Sequence, residues 1–368
     1  MNGKNWRTIW PTKEAKSVQI IDQNKLPYSL ETVLLSEVNH FANAIEKMLV
    51  RGAGLIGSTA AWGMYVSTLH QSEANDIDWR KKIKADATKL IKTRPTAVNL
   101  KWAVDQQLKA INDCASLPEA LETSFQIATK IWNEDAQMCK DLGVHGLELI
   151  DKISRKKNGK TVNILTHCNA GWLAFVDHGS ATSPIYAAFD QGIDIHVWVD
   201  ETRPRNQGSR LTAWELGEHG VPHTIVVDNA GGHLMQHELV DLVLVGSDRT
   251  TGDGDVCNKI GTYLKALSAK DNNIPFYAAM PSSTIDWSRE DGKSTPIEIR
   301  ESDEIKYMEG LDQDNNLTSV LLTPASSNAS NFAFDVTPAR LVTGIITERG
   351  ISKANRQALL SLYPEFSA

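Results

Sequence analysis

The chain has 368 residues, of which 41% are hydrophobic and 23% charged, and its formal net charge at pH 7 is -7. This length suits one large domain or two, and the negative balance excludes a whole-chain positive field that would attract nucleic acid or acidic membranes. The first residues lack the apolar core of a signal peptide, no apolar run could span a bilayer, and the four cysteines are scattered. We therefore predict a protein of the reducing cytoplasm with neither a nucleic-acid nor a membrane partner.

The first part of the chain has a helical pattern. Apolar residues recur at helical spacing from Leu30 to about Ile150. Pro118 marks the first turn of a long predicted helix that runs from Glu119 to Cys139 or beyond. We predict a mainly helical N-terminal domain over residues 1–130, joined to the rest of the chain by this long linker helix.

The sequence pattern changes at Thr161, where short β-rich runs begin to alternate with helical segments. Such alternation is typical of βαβ units and a parallel sheet. The predicted fold class is therefore α/β, with the helical N-terminal domain followed by a Rossmann-like, doubly wound parallel-sheet domain over residues 131–368. The predicted strands are Val162–Leu165, Ile193–Val199, Thr224–Val227, Asp241–Val245, Pro275–Ala279 and Leu341–Ile346.

Polar side chains follow the predicted strands where each one ends. In an open parallel sheet, ligands bind outside the carboxyl ends of the strands. Cys168 and Asp248 both occupy such positions, within Thr166-His167-Cys168-Asn169 and Gly246-Ser247-Asp248-Arg249. Ionisable side chains follow four of five successive predicted strands, and this repetition indicates that the domain is catalytic. A structural cysteine would more naturally lie within an apolar run.

Two short motifs are weak indicators of function. Gly52-Ala53-Gly54-Leu55-Ile56-Gly57 matches the dinucleotide fingerprint GxGxxG, but a helical pattern precedes it where that fingerprint needs a strand. A glycine-rich corner between helices, or an anion-binding loop beside Arg51, explains it better. His233 and His237 lie one helical turn apart, but Leu234 occupies the place of the glutamate that zinc proteases require. We predict no metal.

Two polar segments favour a phosphorylated ligand. Gly252 to Lys259 is predicted to form a glycine-bearing turn at the start of a helix that runs to about Lys270, and Asn258 and Lys259 would add donors there. Cationic and amide side chains also follow the second predicted strand. Each segment alone could be an ordinary helix start or a solvated loop, but their convergence on one sheet edge favours an anionic small molecule. The second group consists of Arg203, Arg205, Gln207 and Arg210.

A series of ordered stretches runs from about Arg51 to Gly350: RGAGLIGSTAAWG, TRPTAVNL, THCNAG, DETRPRNQGSRLTAWEL, VGSDRTTGDGDVCNKIGTY, IPFYAAMPSSTID and FAFDVTPARLVTGIITERG. Together they resemble the signatures of the methylthioribose-1-phosphate isomerase family. The wider family includes ribose-1,5-bisphosphate isomerases and the regulatory subunits of translation initiation factor 2B. The contexts of Cys168 and Asp248 resemble the isomerase branch.

The resemblance implies an enzyme of methionine salvage. It would be an aldose–ketose isomerase that converts S-methyl-5-thio-α-D-ribose 1-phosphate to S-methyl-5-thio-D-ribulose 1-phosphate without a cofactor, as a homodimer. Cys168 and Asp248 would be the catalytic pair. The alternative substrates are 5-deoxyribose 1-phosphate and ribose 1,5-bisphosphate, and the alternative class is a non-catalytic regulatory subunit that senses a sugar phosphate or a nucleotide. The implied substrate-binding residues are Arg51, Gly52, Ala53, Arg94, Gln207, Asn258 and Lys259.

The chain departs from the family pattern at a few positions. Gly54-Leu55 stands where the family usually has Pro-Ala, Cys257 where it more often has alanine, and Phe332 where a proline is usual. None of these changes removes a catalytic group. The glycine-loop change bears on packing around the ligand, and therefore on substrate range more than on reaction type.

The implied chemistry needs one acid and one base. A sugar phosphorylated at its anomeric carbon cannot open its ring spontaneously, because the hemiacetal proton is absent. Asp248 would protonate the ring oxygen if burial raises its pKa, and Cys168 would remove the C2 proton if cationic neighbours favour its thiolate. A direct hydride shift from C2 to C1 stays open. We expect Arg51, Arg94 and Lys259 to meet in one anion-binding cleft between the domains, with Asn258 and Gln207 orienting the sugar.

Overall fold

The chain begins with a small antiparallel sheet. The computed structural model describes residues 6–74, 77–94 and 97–367, so Pro95 and Thr96 of the second family stretch lie outside the described residues. The sheet consists of β1 (Ile9–Pro11), β2 (Val18–Ile21) and β3 (Thr32–Leu35). The prediction of helical structure from Leu30 onward is wrong for this segment, because strands of three or four residues are too short to show a period of two.

Helices follow and form the first core. They are α1 (Val38–Glu46), α2 (Ala53–Glu73), α3 (Trp79–Thr93) and α4 (Val98–Asn112). The central helix, α2, is buried continuously from Gly54 to Thr68, as expected for a helix that is apolar all round. Its Trp62 is fully buried and makes edge-to-face contacts with Tyr65, Phe125 and Trp132 at centroid distances of 5.7, 5.9 and 6.4 Å. Aromatic contacts of this geometry add to the stabilisation from burial alone.

The long helix α5 (Leu117–Lys156) joins the two parts of the chain. Ser116 caps its first turn by accepting a hydrogen bond from the Glu119 amide at 3.4 Å. Ala128 and Ile131 pack in the first core, whereas Leu142 and Ile150 pack against the main sheet. Residue 130, where we placed the boundary, therefore lies inside one continuous helix, and the division into domains 1–130 and 131–368 stays a prediction.

The main sheet has seven strands and confirms the predicted α/β class. Its order is β18-β17-β10-β7-β4-β5-β6, and every pair is parallel except β17 with β18. All six predicted strands are present, with small shifts at their ends. The strands are β4 (Val162–Thr166), β5 (Ile195–Asp200), β6 (His223–Val226), β7 (Leu242–Val245), β10 (Phe276–Ala279), β17 (Gly344–Thr347) and β18 (Gly350–Ser352).

Helices cover both faces of this sheet, as in doubly wound folds. Along β7, Leu242 and Leu244 point into one core while Val243 and Val245 point into the other. The second half of α5, α6 (Ser183–Asp190) and α7 (Ala213–His219) pack on the first face. The opposite face is covered by α8 (Ala230–Gln236), α9 (Thr262–Asp271) and α11 (Arg356–Leu362). Among the described helices, none is both long and apolar enough to cross a membrane.

A second, four-stranded sheet follows β7 and corrects one prediction. Its order is β11-β8-β9-β16. We placed Asn258 and Lys259 at a helix start, but they lie on β9, and α9 begins only at Thr262. The reason is non-local, since β9 pairs with β16, a strand far downstream in the chain. The strands are β8 (Arg249–Thr251), β9 (Val256–Lys259), β11 (Ile285–Asp286) and β16 (Phe334–Thr337).

A small lobe, formed by β12 to β15, α10 and the residues just before β12, precedes β16 in the chain. It contains two pairs of antiparallel strands and one short helix. Among its residues, Thr295 and Pro296 reach the cavity described below. The pairs are β12 (Ile299–Arg300) with β15 (Asn331–Phe332) and β13 (Tyr307–Leu311) with β14 (Leu317–Leu321), and the helix is α10 (Asp303–Lys306).

Candidate active site

Cys168 lies just past the carboxyl end of β4 in an unusual backbone conformation. Its φ angle is +67°, a region that residues other than glycine rarely adopt and that is often found at functional sites. Two threonines hold it there. The Cys168 amide donates to Thr202 Oγ1 and the Cys168 carbonyl accepts from Thr212 Oγ1, both at 2.8 Å. This geometry directs the thiol into a cavity, where Sγ lies 3.4 Å from Gln207 Oε1.

Asp248 faces the same cavity from the carboxyl end of β7. Its amide donates to the Cys257 carbonyl at 3.0 Å, which anchors the turn between β7 and β8. Burial raises the pKa of the Asp248 carboxyl, and the charges of Lys259, Arg51 and Arg94 oppose that rise only in part. The raised pKa is the condition under which a carboxyl can act as an acid near neutral pH.

The electrostatics of Cys168 differ from the expectation. Burial raises the pKa of the Cys168 thiol, and Arg51 and Lys259 offset only part of this effect. The cations that we expected to favour the thiolate are therefore present, but desolvation outweighs them. The same burial lowers the pKa of Lys259. The cavity is thus dry enough to disfavour charge on each of these groups.

The three cations expected to meet come from distant segments and reach this cavity, which Arg249 also lines. Arg51 precedes α2, Arg94 directly follows α3 and Lys259 ends β9. Arg51 and Lys259 are buried, and Arg94 forms an ion pair with Glu298 at 3.0 Å. Burial opposes ionisation of that carboxyl, but Arg94 and Arg300 hold the pKa of Glu298 below its usual value. A phosphate dianion placed among three cations would receive bidentate donors from arginine and a compact charge from lysine.

Most of the predicted site residues line one cavity. It is bounded by Arg51, Gly52, Ala53, Arg94, Cys168, Gln207, Asp248 and Lys259. Asn258 lines an adjoining recess that also contains Arg51, Cys168 and Asp248. The structure therefore brings the predicted residues together between the helical part of the chain and the sheet.

The other predicted cations lie outside the main cavity. Arg203 donates to the Ile305 carbonyl at 2.8 Å, Arg205 pairs with Glu304 at 3.0 Å, and Arg210 pairs with Glu309 at 3.2 Å. These partners belong to the lobe around α10 and β13. These three arginines do not line the main cavity, because acidic side chains and a carbonyl of a distant segment bind them, and a role for this arginine group in ligand binding stays a prediction. Gln207 is the member of the group that reaches the cavity.

The apolar part of the lining could not be predicted from the sequence. Lys259 Nζ lies 4.7 Å from the centroid of the Phe334 ring, so a cation and an aromatic face meet inside the cavity. Apolar residues on helices and strands carry no motif, and their role becomes visible only when the chain is folded. The apolar lining residues are Met48, Ile56, Ala97, Val98, Pro296 and Phe334.

The glycines of the GxGxxG motif serve packing at the start of α2. Helix α1 precedes them in the chain, which agrees with the helical pattern predicted ahead of the motif. Gly52 has φ +86°, and a Cβ there would lie 2.4 Å from Ala174. A Cβ on Gly54 would lie 2.0 Å from Asp135 Oδ1 and 2.4 Å from Phe175. The departure from the family pattern at this position therefore matches a site with no room for a side chain.

One cluster in the described part of the chain has the composition of a metal site. The ligand atoms of His167, Asp200 and Asp228 lie within 4.8 Å of one another. A cation is already present, since Lys265 Nζ lies 3.1 Å from Asp200 Oδ2. His167 also contacts Asp200 at 2.8 Å and the Ile260 carbonyl at 2.8 Å, so both ring nitrogens have protein partners. This arrangement fits a buried charge network better than a metal centre.

Fold and site together define a class of protein: an α/β protein with a buried thiol and a partly buried carboxyl at the strand tips, beside a cationic pocket that suits an anionic group. The profile described as the Initiation factor 2 subunit family matches residues 49–354. The chain is 57% identical over 368 residues to a methylthioribose-1-phosphate isomerase from Desulfatibacillum aliphaticivorans, with 99% of each chain covered. The chain therefore belongs to the methylthioribose-1-phosphate isomerases within this family, which confirms the resemblance.

Solved structures agree with this assignment. The crystal structure of 5-methylthioribose 1-phosphate isomerase from Pyrococcus horikoshii OT3 matches with a TM-score of 0.84 and 35% identity, covering 98% of this chain and 97% of that one. A structure described as translation initiation factor eIF-2B, subunit delta, from A. fulgidus matches with a TM-score of 0.79 and 36% identity, covering 98% and 100%. Both share the helical N-terminal part and the parallel sheet with this chain, since coverage is nearly complete.

Proposed function

We propose that this chain is an aldose–ketose isomerase that converts S-methyl-5-thio-α-D-ribose 1-phosphate to S-methyl-5-thio-D-ribulose 1-phosphate, a reaction of methionine salvage. One observation carries the proposal: Cys168 and Asp248 face a single buried cavity that also contains Arg51, Arg94 and Lys259. The pair supplies two proton-transfer groups, and the cations supply a place for the phosphate. The names of the relatives supply the identity of the sugar.

The first step opens the ring. Cys168, as thiolate, removes the proton from C2, and the electrons of that C–H bond form a C1–C2 double bond. The bond between C1 and the ring oxygen breaks as Asp248 donates its proton to that oxygen. The product of this step is an open-chain enol phosphate, with the phosphate still on C1. No electrons leave the sugar, so the step requires no external oxidant or reductant.

The second step completes the isomerisation. The Cys168 thiol returns its proton to C1, and the Asp248 carboxylate accepts the proton of the C2 hydroxyl as the ketone forms. Both groups end in the state in which they began. A thiol ordinarily has a higher pKa than a carboxyl, and burial raises the pKa of the Cys168 thiol further, so a thiolate beside a protonated carboxyl is a minor form of the free enzyme. The rate is then expected to fall at low pH, where the thiol holds its proton, and at high pH, where the carboxyl loses its own.

The apolar lining favours methylthioribose phosphate over the bisphosphate. Met48, Ile56, Val98 and Phe334 face the cavity beside the cationic groups. An S-methyl group gains free energy when it leaves water for such a surface, whereas a second phosphate would lose its hydration. A 5-deoxy sugar would also be accepted, with less buried area.

Turnover assays on the three sugars test the proposal. We expect the highest kcat/KM with the methylthio sugar, a lower value with 5-deoxyribose 1-phosphate and the lowest with ribose 1,5-bisphosphate. No turnover of any of them by folded protein would refute it and leave the regulatory alternative, which the similarity to eIF-2B subunit delta would then support. A reaction in D₂O tests the step itself. Deuterium at C1 of the product indicates proton transfer, whereas its complete absence favours a hydride shift.

We further propose that the chain acts as a homodimer. Hairpin β13–β14 leaves several apolar side chains partly exposed, and an isolated two-stranded hairpin is at best marginally stable in water. A second copy of the chain that covers this surface would bury the exposed apolar side chains and stabilise the hairpin. Sedimentation velocity tests this, with Leu317→Glu expected to shift the protein toward monomer. The exposed side chains are Tyr307, Leu311, Leu317, Val320 and Leu321.

We place this dimer in the reducing cytoplasm. All four cysteines are free thiols in the structure, and a proton-transferring Cys168 has to remain one. Loss of activity under mild oxidation, with recovery on addition of a reductant, is the expected result for a catalytic thiol.

A further inference from the structure

Behind Arg51 lies a hydrogen-bonded relay outside the cavity. The Arg51 guanidinium donates from one terminal nitrogen to Asn169 Oδ1 and from the other to the Asn169 carbonyl at 2.6 Å. One residue therefore holds both ends of the guanidinium and fixes its plane. We propose that Glu215, which does not line the cavity, is a positioning residue that acts through Asn169 to orient Arg51 toward the substrate phosphate. This inference rests on the proposed function.

The side chain of Asn169 can satisfy its partners in one orientation only. Its Nδ2 donates to Glu215 Oε1 at 2.8 Å and to Thr212 Oγ1 at 3.1 Å, while its Oδ1 accepts from Arg51. Arginine is a donor only and an ionised carboxylate is an acceptor only. A flipped amide would place donor against donor and acceptor against acceptor. Glu215 thus decides which atom of Asn169 faces Arg51.

Glu215 is surrounded by donors. Besides Asn169, it accepts from the Leu173 amide on Oε1 at 3.1 Å, and from the Trp172 amide at 3.1 Å and Tyr186 Oη at 3.0 Å on Oε2. Each carboxylate oxygen therefore receives two hydrogen bonds. Burial raises the pKa of Glu215 to about 7, against these donors and the charge of Arg51. The geometry is complete only when the carboxyl is ionised.

The relay gives Arg51 a counter-charge and leaves most of its donors unoccupied. A direct ion pair between arginine and a carboxylate is usually bidentate and would use the face of the guanidinium that a phosphate needs. Here one amide separates the two charges, and Asn169 takes two of the five guanidinium N–H groups. Three N–H groups are left for a ligand. Buried Arg51 is thereby compensated and still able to bind.

The relay is tested by exchanging the amide and the carboxyl groups between positions 169 and 215, first singly and then together. Glu215→Gln keeps the shape of the side chain but presents an NH₂ group where an acceptor is needed, so we expect KM for the sugar phosphate to rise at least about tenfold, with a smaller change in kcat. Asn169→Asp alone places two carboxylates together and should also raise KM. The double variant Asn169→Asp with Glu215→Gln restores one donor and one acceptor along the relay, and we expect it to recover part of the lost KM.

Controls separate the relay from a general structural role. Tyr186→Phe removes a different hydrogen bond of Glu215 and should leave KM within about twofold of the unmodified protein. If Glu215→Gln does not fold, Asn169→Ala is measured instead and should raise KM in the same way. An unchanged KM in folded Glu215→Gln, or equal losses in both single variants without recovery in the double variant, overturns the inference. An unmodified protein without turnover would instead refute the proposed function.

Discussion

Replacing Lys259 with methionine should weaken substrate binding and leave the free protein equally or more stable. Lys259 lies on β9 and is buried in the cavity beside Cys168 and Asp248. Methionine keeps most of the length of the apolar stem and removes the charge. If the ammonium binds the phosphate, its loss removes a hydrogen bond to a charged group, worth about 1.5–3 kcal/mol. The corresponding rise in KM is about 10- to 150-fold.

The effect on stability has the opposite sign. Burial lowers the pKa of Lys259, so the charged form is less favourable in the folded chain than in the unfolded chain, and at neutral pH this difference costs stability. Methionine removes that cost, and a thioether contact with the Phe334 ring replaces the cation–π contact of the lysine. We therefore expect the Tm of the ligand-free variant to stay unchanged or rise, as is common when a functional polar group is removed from a dry site.

Steady-state kinetics test the predicted rise in KM, and thermal unfolding of the same preparations tests the predicted effect on Tm. Lys270→Met is the matched control, because Lys270 belongs to the adjacent helix α9 and is exposed. It should change neither KM nor Tm. A Lys259→Met protein with an unchanged KM would remove this lysine from the phosphate site. A variant that loses several degrees of Tm without ligand would refute the electrostatic argument.

Three further predictions concern other residues. Cys168→Ser and Asp248→Asn should each reduce kcat by on the order of a hundredfold or more with the fold intact by circular dichroism, and near-normal kcat in either would refute that assignment. Gly54→Ala should reduce the free energy of unfolding by about 1–3 kcal/mol, because its Cβ would overlap Asp135 and Phe175; unchanged denaturation by urea would contradict this. Burial raises the pKa of Asp135 to about 7, so its contribution to stability falls as pH rises from about 4 to 7. Asp135→Asn should then gain stability relative to the unmodified protein over that range, by on the order of 2–4 kcal/mol, and a difference independent of pH would contradict the pKa.

The sequence by itself determined the main sheet and the location of its site. Buried parallel strands are continuous apolar runs, so β4 and β7 can be recognised locally. Once the sheet is parallel, its topology places the carboxyl ends of neighbouring strands at one edge. Cys168 and Asp248 follow β4 and β7, which are neighbours in the sheet. Once the tertiary structure supplies this strand order, their proximity follows without knowledge of any side-chain contact.

Tertiary structure decided what depends on pairing between distant segments. Asn258 and Lys259 lie on a strand because β16, from far along the chain, pairs with β9, whereas their local sequence resembles a helix start. Desolvation likewise belongs to the whole fold. The pKa of Cys168 rises because segments from the entire chain exclude water from the thiol, and no local pattern reports how much water remains.

The arginines show most clearly what the local sequence cannot predict. Arg51, Arg205 and Arg210 look alike in sequence, but Arg51 alone of these three lines the main cavity beside Cys168 and Asp248. Arg205 and Arg210 are bound by Glu304 and Glu309, about a hundred residues away in the chain. A guanidinium takes whichever acceptor the fold brings within reach. The choice between a ligand and an internal partner is therefore made by the tertiary structure, because it alone sets the distances between charges.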